Sequence, residues 1–259
     1  NRSSFRPTGR GTRTQGKYFS ARALRRSMDP RRVYERLLAR FGPQHWWPAE
    51  TRFEVIVGAL LMAQTSWPRV AEAVGNLRRA GVLDPRALAA MSIGDLRALV
   101  RPAGLHRTKP RRLRAFCRHL VRAAGGDLDR FFARDPVALR RELLTLDGVG
   151  PETADSILLY ASDVPTFVVD AYTVRVGRRL GWFDADRYDA VKAYFESRVP
   201  RDLGVYREFH ALIVALGKDV CRPTPRCDAC PLADGCAHAR ARGQLSYTPT
   251  KRTKERKTP

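Results

Sequence analysis

The sequence predicts an all-α protein, and three observations lead to this fold class. Apolar residues recur with helical spacing through the middle of the chain, most of these segments open on Ser, Asp or Pro, and several close on Gly. These are the usual start and stop signals of helices. Alternating strand patterns are almost absent, and "PTFVV" at 165–169 is the one short β-like run. We therefore expect helices joined by short loops.

The predicted helices follow one another from residue 29 onward. "DPRRVYERLLARFG" has a proline near its start, an apolar stripe and Gly42 as its stop. "FEVIVGALLMAQ" predicts a buried helix, although its β-branched residues leave a strand open on local evidence. The further helical segments are "WPRVAEAVGNLRRAGV", "DPRALAAM", "SIGDLRALVRPAG", "KPRRLRAFCRHLVRAAGG", "DPVALRRELLTL", "GPETADSILLYAS", "DAYTVRVGRRLGWF", "DRYDAVKAYFESRV" and "VYREFHALIVALGKDV".

Composition and charge limit the kinds of function that this protein can have. With 259 residues, 44% of them hydrophobic, the chain can form one sizeable core or two small lobes that share a cleft. The formal net charge of +22 favours a polyanionic partner, either nucleic acid or an anionic membrane surface, and nucleic acid is the commoner one. No apolar run is long enough to span a membrane, and the N-terminus lacks the apolar core of a secretory signal. We expect an intracellular, cytoplasmic and nucleoid-associated protein.

Both ends of the chain are expected to be basic tails. Residues 1–27 contain no Asp or Glu, and residues 246–259 contain a single Glu. Such segments either add non-specific attraction to phosphate or are solvated tails without a function of their own.

Four of the five cysteines are clustered near the C-terminus. Cys221, Cys227, Cys230 and Cys236 follow a C-x5-C-x2-C-x5-C spacing. In an intracellular protein this pattern predicts a metal site rather than disulfides. Four thiolates can hold zinc or an iron–sulfur cluster, and the compact spacing favours [4Fe–4S], with zinc as the alternative. Cys117 occupies an apolar helix position and is predicted to be a core thiol.

Two helix starts carry candidate functional residues. In "LLTLDGVGPETADSILLYA", Gly148 and Gly150 precede Pro151, and free N–H groups at a helix start attract phosphate. An ordinary helix–turn–helix would show the same pattern. Asp170 ends "FVVD" three residues before Thr173, which predicts an N-cap.

Taken together, these segments resemble the helix–hairpin–helix DNA glycosylases of the endonuclease III superfamily. The resemblance runs from about Arg31 to Cys236. It is carried by "GALLMAQTSWPRVAEAV", "RPAGLHRTKPRRL", "LLTLDGVGPETADSILLYA", "FVVDAYTVRVGRRLG", "FHALIVALGK" and the cysteine loop. One departure is that five residues, rather than the family's usual six, separate the first two cysteines of the cluster.

The resemblance implies two helical lobes that flank a DNA-binding cleft and end in an iron–sulfur loop. The folded region would be 28–245, with a six-helix lobe at about 50–165, a second lobe formed by 28–49 and 166–245, and the cluster loop at 221–236. The implied partner is double-stranded DNA that contains damaged bases, and the protein is expected to act as a monomer.

The resemblance also implies roles for individual residues. Backbone amides of the hairpin would grip a DNA phosphate, and Gln64 would fill the gap left by a flipped nucleotide, unless it is merely a polar helix end. Asp170 would be the catalytic carboxylate, which stabilises positive charge on the sugar and orients water. The hairpin residues concerned are Leu146, Gly148, Val149 and Gly150.

Glu152 stands where bifunctional members of the family carry a lysine that forms a Schiff base with the sugar. A carboxylate cannot form an imine, so we expect a monofunctional glycosylase without lyase activity. In structural terms, an acid in the first turn of a helix also complements the helix dipole.

"HWWPAETRFEVIVGALL" and "GPETADSILLYA" look closest to the endonuclease III-like 3-methyladenine glycosylases. This resemblance predicts that alkylated purines are removed. Trp46, Trp47 and Phe53 are candidate pocket walls because electron-poor bases stack on aromatic faces, although core burial is favoured for Phe53. Lys218 either faces the cleft or caps a helix C-terminus, and His210 is predicted to be a packed helix residue. The alternatives are an endonuclease III-type enzyme for oxidised pyrimidines and a non-catalytic lesion-binding protein.

Overall fold

The protein is described by a computed structural model that covers residues 27–184 and 187–243. Within these residues it is all-helical and contains no strand, which confirms the predicted fold class. The tails predicted at 1–27 and 246–259 lie outside the described residues, except for Ser27. The α-helices are α1 (Pro30–Phe41), α2 (Arg52–Leu61), α3 (Trp67–Arg79), α4 (Pro85–Ala90), α5 (Ile93–Leu99), α6 (Thr108–Ala124), α7 (Leu128–Phe132), α8 (Pro136–Leu143), α9 (Pro151–Ala161), α10 (Ala171–Leu180), α11 (Tyr188–Glu196), α12 (Leu203–Asp219) and α13 (Ala237–Ala241).

Most helix boundaries lie at the Asp, Ser, Pro and Gly residues that predicted helix starts and stops. The Asp29 carboxylate accepts a hydrogen bond from the Arg31 amide at 2.8 Å at the start of α1, and Gly42 ends that helix with φ of +72°. Such N-caps satisfy amide groups that have no partner inside the helix. The two segments left open by the sequence are also resolved: "FEVIVGALL" lies in the buried helix α2, and "PTFVV" forms neither a helix nor a strand.

Helix packing brings the functional elements together. Helix α9 packs against α2, α10 packs against α12, and α12 also contacts α1 and α9. On the other side, α6 packs against α2, α4, α5 and α7. The apolar faces of these helices share one hydrophobic core. The division into two lobes at the stated bounds stays a prediction.

A buried ion-pair network fixes the orientation of α9. The Asp155 side chain is 0% exposed and accepts two hydrogen bonds from Arg140 of α8, at 2.8 and 3.0 Å. Lys192 of α11 lies 3.1 Å from the same carboxylate. Because a buried carboxylate is tolerated when it is paired and hydrogen-bonded, Asp155 ties three helices together next to the hairpin.

Candidate active site and DNA-binding elements

The starts of α9 and α10 open onto a cavity of about 340 Å³. Its walls come from the segment before α2, the turn between α2 and α3, the first turns of α9 and α10, and one face of α12. The lining residues are Trp46, Trp47, Ala59, Met62, Thr65, Ser66, Trp67, Pro68, Glu152, Thr153, Ser156, Asp170, Ala171, Tyr172, His210, Val214 and Lys218. The structure therefore brings together five residues that the sequence singled out: Asp170, Glu152, Trp46, Trp47 and Lys218.

Asp170 caps α10 and at the same time faces the cavity. Its Oδ1 accepts hydrogen bonds from the Thr173 amide at 2.7 Å and from the Thr173 hydroxyl at 2.8 Å. Its Oδ2 lies 3.7 Å from His210 Nε2. Burial alone would raise the pKa of Asp170, but the His210 imidazole and the two Thr173 donors outweigh it and hold that pKa below its ordinary value. A carboxylate is thus kept ionised at the cavity wall.

His210 is buried between Asp170 and a tyrosine of α9. The imidazole is 5% exposed, and its Nδ1 lies 2.7 Å from the Tyr160 hydroxyl. Its Nε2 is buried and makes no hydrogen bond within the described residues, because 3.7 Å to Asp170 is an ion-pair distance and too long for a hydrogen bond. His210 is packed in α12, as predicted, yet it also borders the candidate active site.

Glu152 lies in the first turn of α9 at the edge of the same cavity. Burial of its carboxylate among cavity walls and the negative charge of Asp170 raise its pKa to about 7, and His210 opposes this only in part. The residue as a whole retains an exposed surface, so solvent and salt screen some of this effect. The pKa of Glu152 therefore lies well above that of Asp170, which stays charged.

Three tryptophans form one wall of the cavity. The ring centroids of Trp46 and Trp47 are 5.6 Å apart, those of Trp47 and Trp67 are 5.6 Å apart, and those of Trp46 and Trp67 are 6.1 Å apart. Lys218 Nζ lies 5.5 Å from the Trp46 ring centroid, which places Lys218 at the cavity as well as in the last turn of α12. A flat, electron-poor base can stack on such a surface.

The loop that carries Trp46 and Trp47 is anchored at both ends. The Gln44 amide donates to Glu208 of α12 at 2.7 Å, and the Glu50 amide donates to the buried Glu54 of α2 at 2.7 Å. The Trp47 indole packs on Gly58, where an added Cβ would lie 3.2 Å from Nε1. The tryptophan wall is thus held against two helices.

The core burial favoured for Phe53 is confirmed, and one pocket residue was not predicted. Phe53 is 5% exposed and belongs to the hydrophobic core, so it does not line the cavity. It points inward because it lies in the first turn of α2, which is buried almost throughout. Trp67 was missed: it starts α3, and only the fold brings it to Trp46 and Trp47. The sequence signal for it is the "SWP" helix start at 66–68, which Thr65 separates from Gln64.

The hairpin between α8 and α9 is a tight turn with free amides. The Val149 amide donates to Leu146 O at 3.0 Å, and Gly148 has a φ of +83°, as the third residue of a type II turn requires. Val149 and Leu146 pack on the core, while Gly148 and Gly150 are exposed. In the described residues, the amides of Gly148 and Gly150 have no hydrogen-bond partner. These amides can bind an anion at the start of α9.

Arg112 of α6 supports this turn and was not predicted. Its guanidinium lies 3.1 Å from the Asp147 carboxylate, and its Cδ lies 2.2 Å from the position that a Cβ on Gly148 would take. Gly148 is therefore needed for its backbone conformation and for this close contact.

Gln64 lies in the turn between α2 and α3, next to the cavity residues Met62, Thr65 and Ser66. It is exposed and has a φ of +54°, which is uncommon for a residue other than glycine. Gln64 is not a polar residue at a helix end, which was the alternative interpretation, because α2 already ends at Leu61. A strained, exposed side chain beside a cavity is a frequent property of functional positions.

The four clustered cysteines border one recess and are unpaired. Cys221, Cys227, Cys230 and Cys236 line it together with Arg179, whose Nη1 donates to Cys221 Sγ at 3.3 Å. Burial, and secondarily the other cysteines, raises the pKa of Cys230 to about 12. In residues 27–184 and 187–243, no three metal-binding side chains are close enough to hold a single metal ion. Cys117 is 0% exposed in α6, as predicted for a core thiol.

A sequence profile of the HhH-GPD superfamily of base excision DNA repair proteins matches residues 57–201. The protein MJ1434 of Methanocaldococcus jannaschii, provisionally named a DNA repair glycosylase, is 44% identical over 207 residues, which are 79% of this chain and 94% of that protein. Endonuclease III of Thermotoga maritima is 30% identical over 193 residues, 74% of this chain and 85% of that enzyme. The chain belongs to the HhH-GPD superfamily of base excision DNA repair proteins, and within it to the DNA glycosylases related to endonuclease III.

Solved structures show the same fold. The 3-methyladenine DNA glycosylase MagIII of Helicobacter pylori, bound to 1,N6-ethenoadenine, matches with a TM-score of 0.66 at 25% identity, over 74% of this chain and 98% of that one. A trapped covalent complex of endonuclease III with DNA matches with a TM-score of 0.71 at 24% identity, over 83% of this chain and 99% of that one. No helix in the described part of this chain is long and apolar enough to cross a membrane.

Proposed function

We propose that the protein is a monofunctional DNA glycosylase that hydrolyses the N-glycosidic bond of a flipped alkylated purine such as 3-methyladenine. The observation that carries the proposal is the cavity that the charged Asp170 and a wall of three tryptophans line together. The MagIII likeness supports this substrate class, because that enzyme is a 3-methyladenine glycosylase seen with a modified adenine.

Asp170 is proposed to be the catalytic residue. Loss of the base builds positive charge on the deoxyribose, and a fixed carboxylate stabilises that charge. Its Oδ1 is held by Thr173, so Oδ2 is the oxygen left for the sugar or for the attacking water. A cationic alkylated purine would leave as the neutral base with the electrons of the glycosidic bond. The hydroxyl of water would join the sugar carbon, and the remaining proton of that water would pass to Asp170 and then to solvent.

Base recognition is assigned to the tryptophan wall. An alkylated purine carries positive charge or is electron-poor, so it stacks favourably on Trp46 and Trp67. Its glycosidic bond is already weakened, so the enzyme needs little protonation of the leaving base. Lys218 Nζ lies 5.5 Å from the centroid of the Trp46 ring, so it borders the surface on which the base would stack.

DNA binding is proposed to rest on the hairpin and on Gln64. The free amides of Gly148 and Gly150 would bind a phosphate next to the damaged nucleotide, and the net charge of +22 would favour duplex DNA generally. Gln64 would enter the gap in the duplex that the flipped nucleotide leaves.

The proposed lack of lyase activity rests on Glu152. A Schiff base requires an amine at the sugar, and the side chain at the start of α9 is a carboxylate. We therefore propose that the product is an intact strand with an abasic site.

The four clustered cysteines fit a [4Fe–4S] cluster, with zinc as the alternative. They are unpaired, come from one loop and border a common recess, and four thiolates would need a positively charged centre. Cys221, Cys227, Cys230 and Cys236 would hold the cluster, which would supply a rigid core for this loop. The resemblance of the cysteine loop to that of the endonuclease III superfamily supports this assignment.

The decisive experiment measures free base released from methylated duplex DNA by the wild type and by Asp170→Asn. We expect wild-type release of 3-methyladenine, a loss of about 100-fold or more in the variant, and unchanged DNA binding, since Asn keeps an oxygen for the Thr173 cap. Release of oxidised pyrimidines instead would support an endonuclease III-type specificity, which the 30% identity to that enzyme favours. No release from either substrate would leave a non-catalytic lesion-binding protein.

A further inference from the structure

We infer that His210, held by the Tyr160 hydroxyl, is a positioning residue that keeps the Asp170 carboxylate ionised and aimed into the cavity. This inference rests on the proposed catalytic role of Asp170. The three side chains come from three separate elements: α12, α9 and the N-cap of α10. His210 lies between the other two side chains. Its Nδ1 is 2.7 Å from the Tyr160 hydroxyl, and its Nε2 is 3.7 Å from Asp170 Oδ2.

The two carboxylate oxygens of Asp170 have different surroundings. Oδ1 receives both donors of Thr173, whereas Oδ2 has His210 within ion-pairing distance. The Asp170 side chain is 12% exposed, so an unpaired Oδ2 would favour protonation of the acid. A protonated acid cannot stabilise a positive sugar. His210 therefore provides the partner that stabilises the negative charge on Oδ2.

The contact with Tyr160 selects the useful proton arrangement of the imidazole. If the Tyr160 hydroxyl donates to Nδ1, a neutral imidazole carries its proton on Nε2, the atom that faces Asp170. If Tyr160 donates instead to Arg207 O, 3.3 Å away, Nδ1 donates to the tyrosine and Nε2 still faces a carboxylate. A bare lone pair on Nε2 would be repelled by the carboxylate, so the second arrangement is the less favourable one for a neutral imidazole. The favourable arrangement places a proton on Nε2.

The 3.7 Å separation can shorten, because no other group competes for His210 Nε2. This nitrogen is buried and makes no hydrogen bond within the described residues, which leaves its donor free for Asp170. The other charged or titratable groups around His210 are Glu152 and Tyr160 of α9 and Arg207 and Lys218 of α12. Of these, Glu152 titrates in the range of interest, so the test removes it.

The test follows single-turnover base release from methylated duplex DNA between pH 4.5 and 8, a range within which DNA remains paired. All variants carry Glu152→Gln. With His210 present, we expect the rate of base release to be nearly constant at the acidic end of this range, because Asp170 stays ionised. With His210→Leu, we expect the acidic midpoint to move up by about one pH unit, to the lower end of the measured range, so that activity at pH 4.5 falls to roughly half of the activity at pH 7.5 in the same variant. Tyr160→Phe should shift the midpoint in the same direction by less.

The design separates a loss of activity caused by partial unfolding from a change in pH dependence. Each rate is divided by the rate of the same variant at pH 7.5, so a reduced active fraction cancels. His210→Gln, which keeps an N–H donor, should restore the flat acidic side in part. If His210→Leu has the same acidic side as its parent, the inference is overturned. If Asp170→Asn retains base release, the proposed function itself fails, whatever His210 does.

Discussion

Glu152 and Asp170 border the same cavity although they come from the starts of two different helices, α9 and α10. Their negative charges repel each other, and the pKa values of the two carboxyl groups differ as a result of their surroundings. Asp170 has Thr173 and His210 as partners and keeps a pKa below its ordinary value, whereas the Glu152 carboxylate accepts no hydrogen bond within the described residues and has its pKa raised to about 7. A pair of carboxyl groups thus carries a permanent charge on one member only.

A lysine at position 152 should give the protein a new reaction. Glu152→Lys places an amine at the start of α9, beside the carboxylate of Asp170, where it can attack the sugar of an abasic site. We expect borohydride to trap a covalent adduct of this variant with abasic DNA. Denaturing gel electrophoresis measures the adduct. Glu152→Gln is the matched control without an amine. Trapping by the wild type would contradict the monofunctional assignment.

Removing the charge of Glu152 should stabilise the protein in a pH-dependent way. The folded-state pKa of about 7 lies above the ordinary 4.5, so ionisation costs stability. The cost is absent below about pH 4.5, grows as the pH rises toward 7 and is complete above it. We expect Glu152→Gln to raise Tm by about 1–3 °C at pH 8, a small effect because the residue is partly exposed.

Melting curves at pH 4.5 and pH 8 provide the check. The difference between Glu152→Gln and wild type should nearly vanish at the lower pH, where both side chains are neutral. An equal difference at both pH values would show that the effect comes from packing and not from charge.

The sequence could reveal features that depend on neighbours along the chain. Asp170 three residues before Thr173 predicted the cap that the structure contains, and Gly148 before Pro151 predicted the turn at the start of α9. Such patterns depend on local hydrogen bonds and backbone dihedrals. The family resemblance added the roles of these residues, which the local chemistry alone left open.

Contacts between distant segments could not be predicted in this way. Trp67 joins Trp46 and Trp47 because α3 begins beside their loop, and Arg112 reaches Gly148 from a different helix. His210 looked like an ordinary packed residue because the face of α12 that packs on the core also borders the cavity. Helical periodicity gives the same signal for both environments.

Trp67 should be required for excision rather than for folding alone. Trp67→Ala removes one side of the tryptophan wall, and base–aromatic stacking is worth about 1–3 kcal/mol, so excision of 3-methyladenine should fall by roughly 10- to 100-fold. The control is Trp182→Phe, since Trp182 is 2% exposed and packs on Tyr194 and Phe195 away from the cavity. Single-turnover rates per folded molecule should fall for the first variant only.

The cysteine loop should hold iron through four of the five cysteines. Cys236→Ser should lose most of the bound iron and the visible absorption band, because it removes one side of the recess. Cys117→Ser is the control, since Cys117 is buried in α6 and does not line the recess. Iron, sulfide and zinc analysis of the purified proteins gives the measurement. Bound zinc without iron would favour the alternative metal.

The two glycines of the hairpin should respond differently to the same substitution. Gly148 has a φ of +83°, and an added Cβ would lie 2.2 Å from Arg112 Cδ, so Gly148→Ala should destabilise the protein by roughly 1–2 kcal/mol. Gly150 has a φ of −84°, and an added Cβ would meet nothing within 4 Å, so Gly150→Ala should fold normally. Its methyl group would instead project from the turn at which a DNA phosphate is proposed to bind. We therefore expect Gly150→Ala to keep the wild-type Tm while its affinity for duplex DNA falls by about tenfold. Thermal melting and a fluorescence-anisotropy titration at fixed salt separate the two effects, and unchanged DNA affinity in Gly150→Ala would mean that no phosphate approaches this amide.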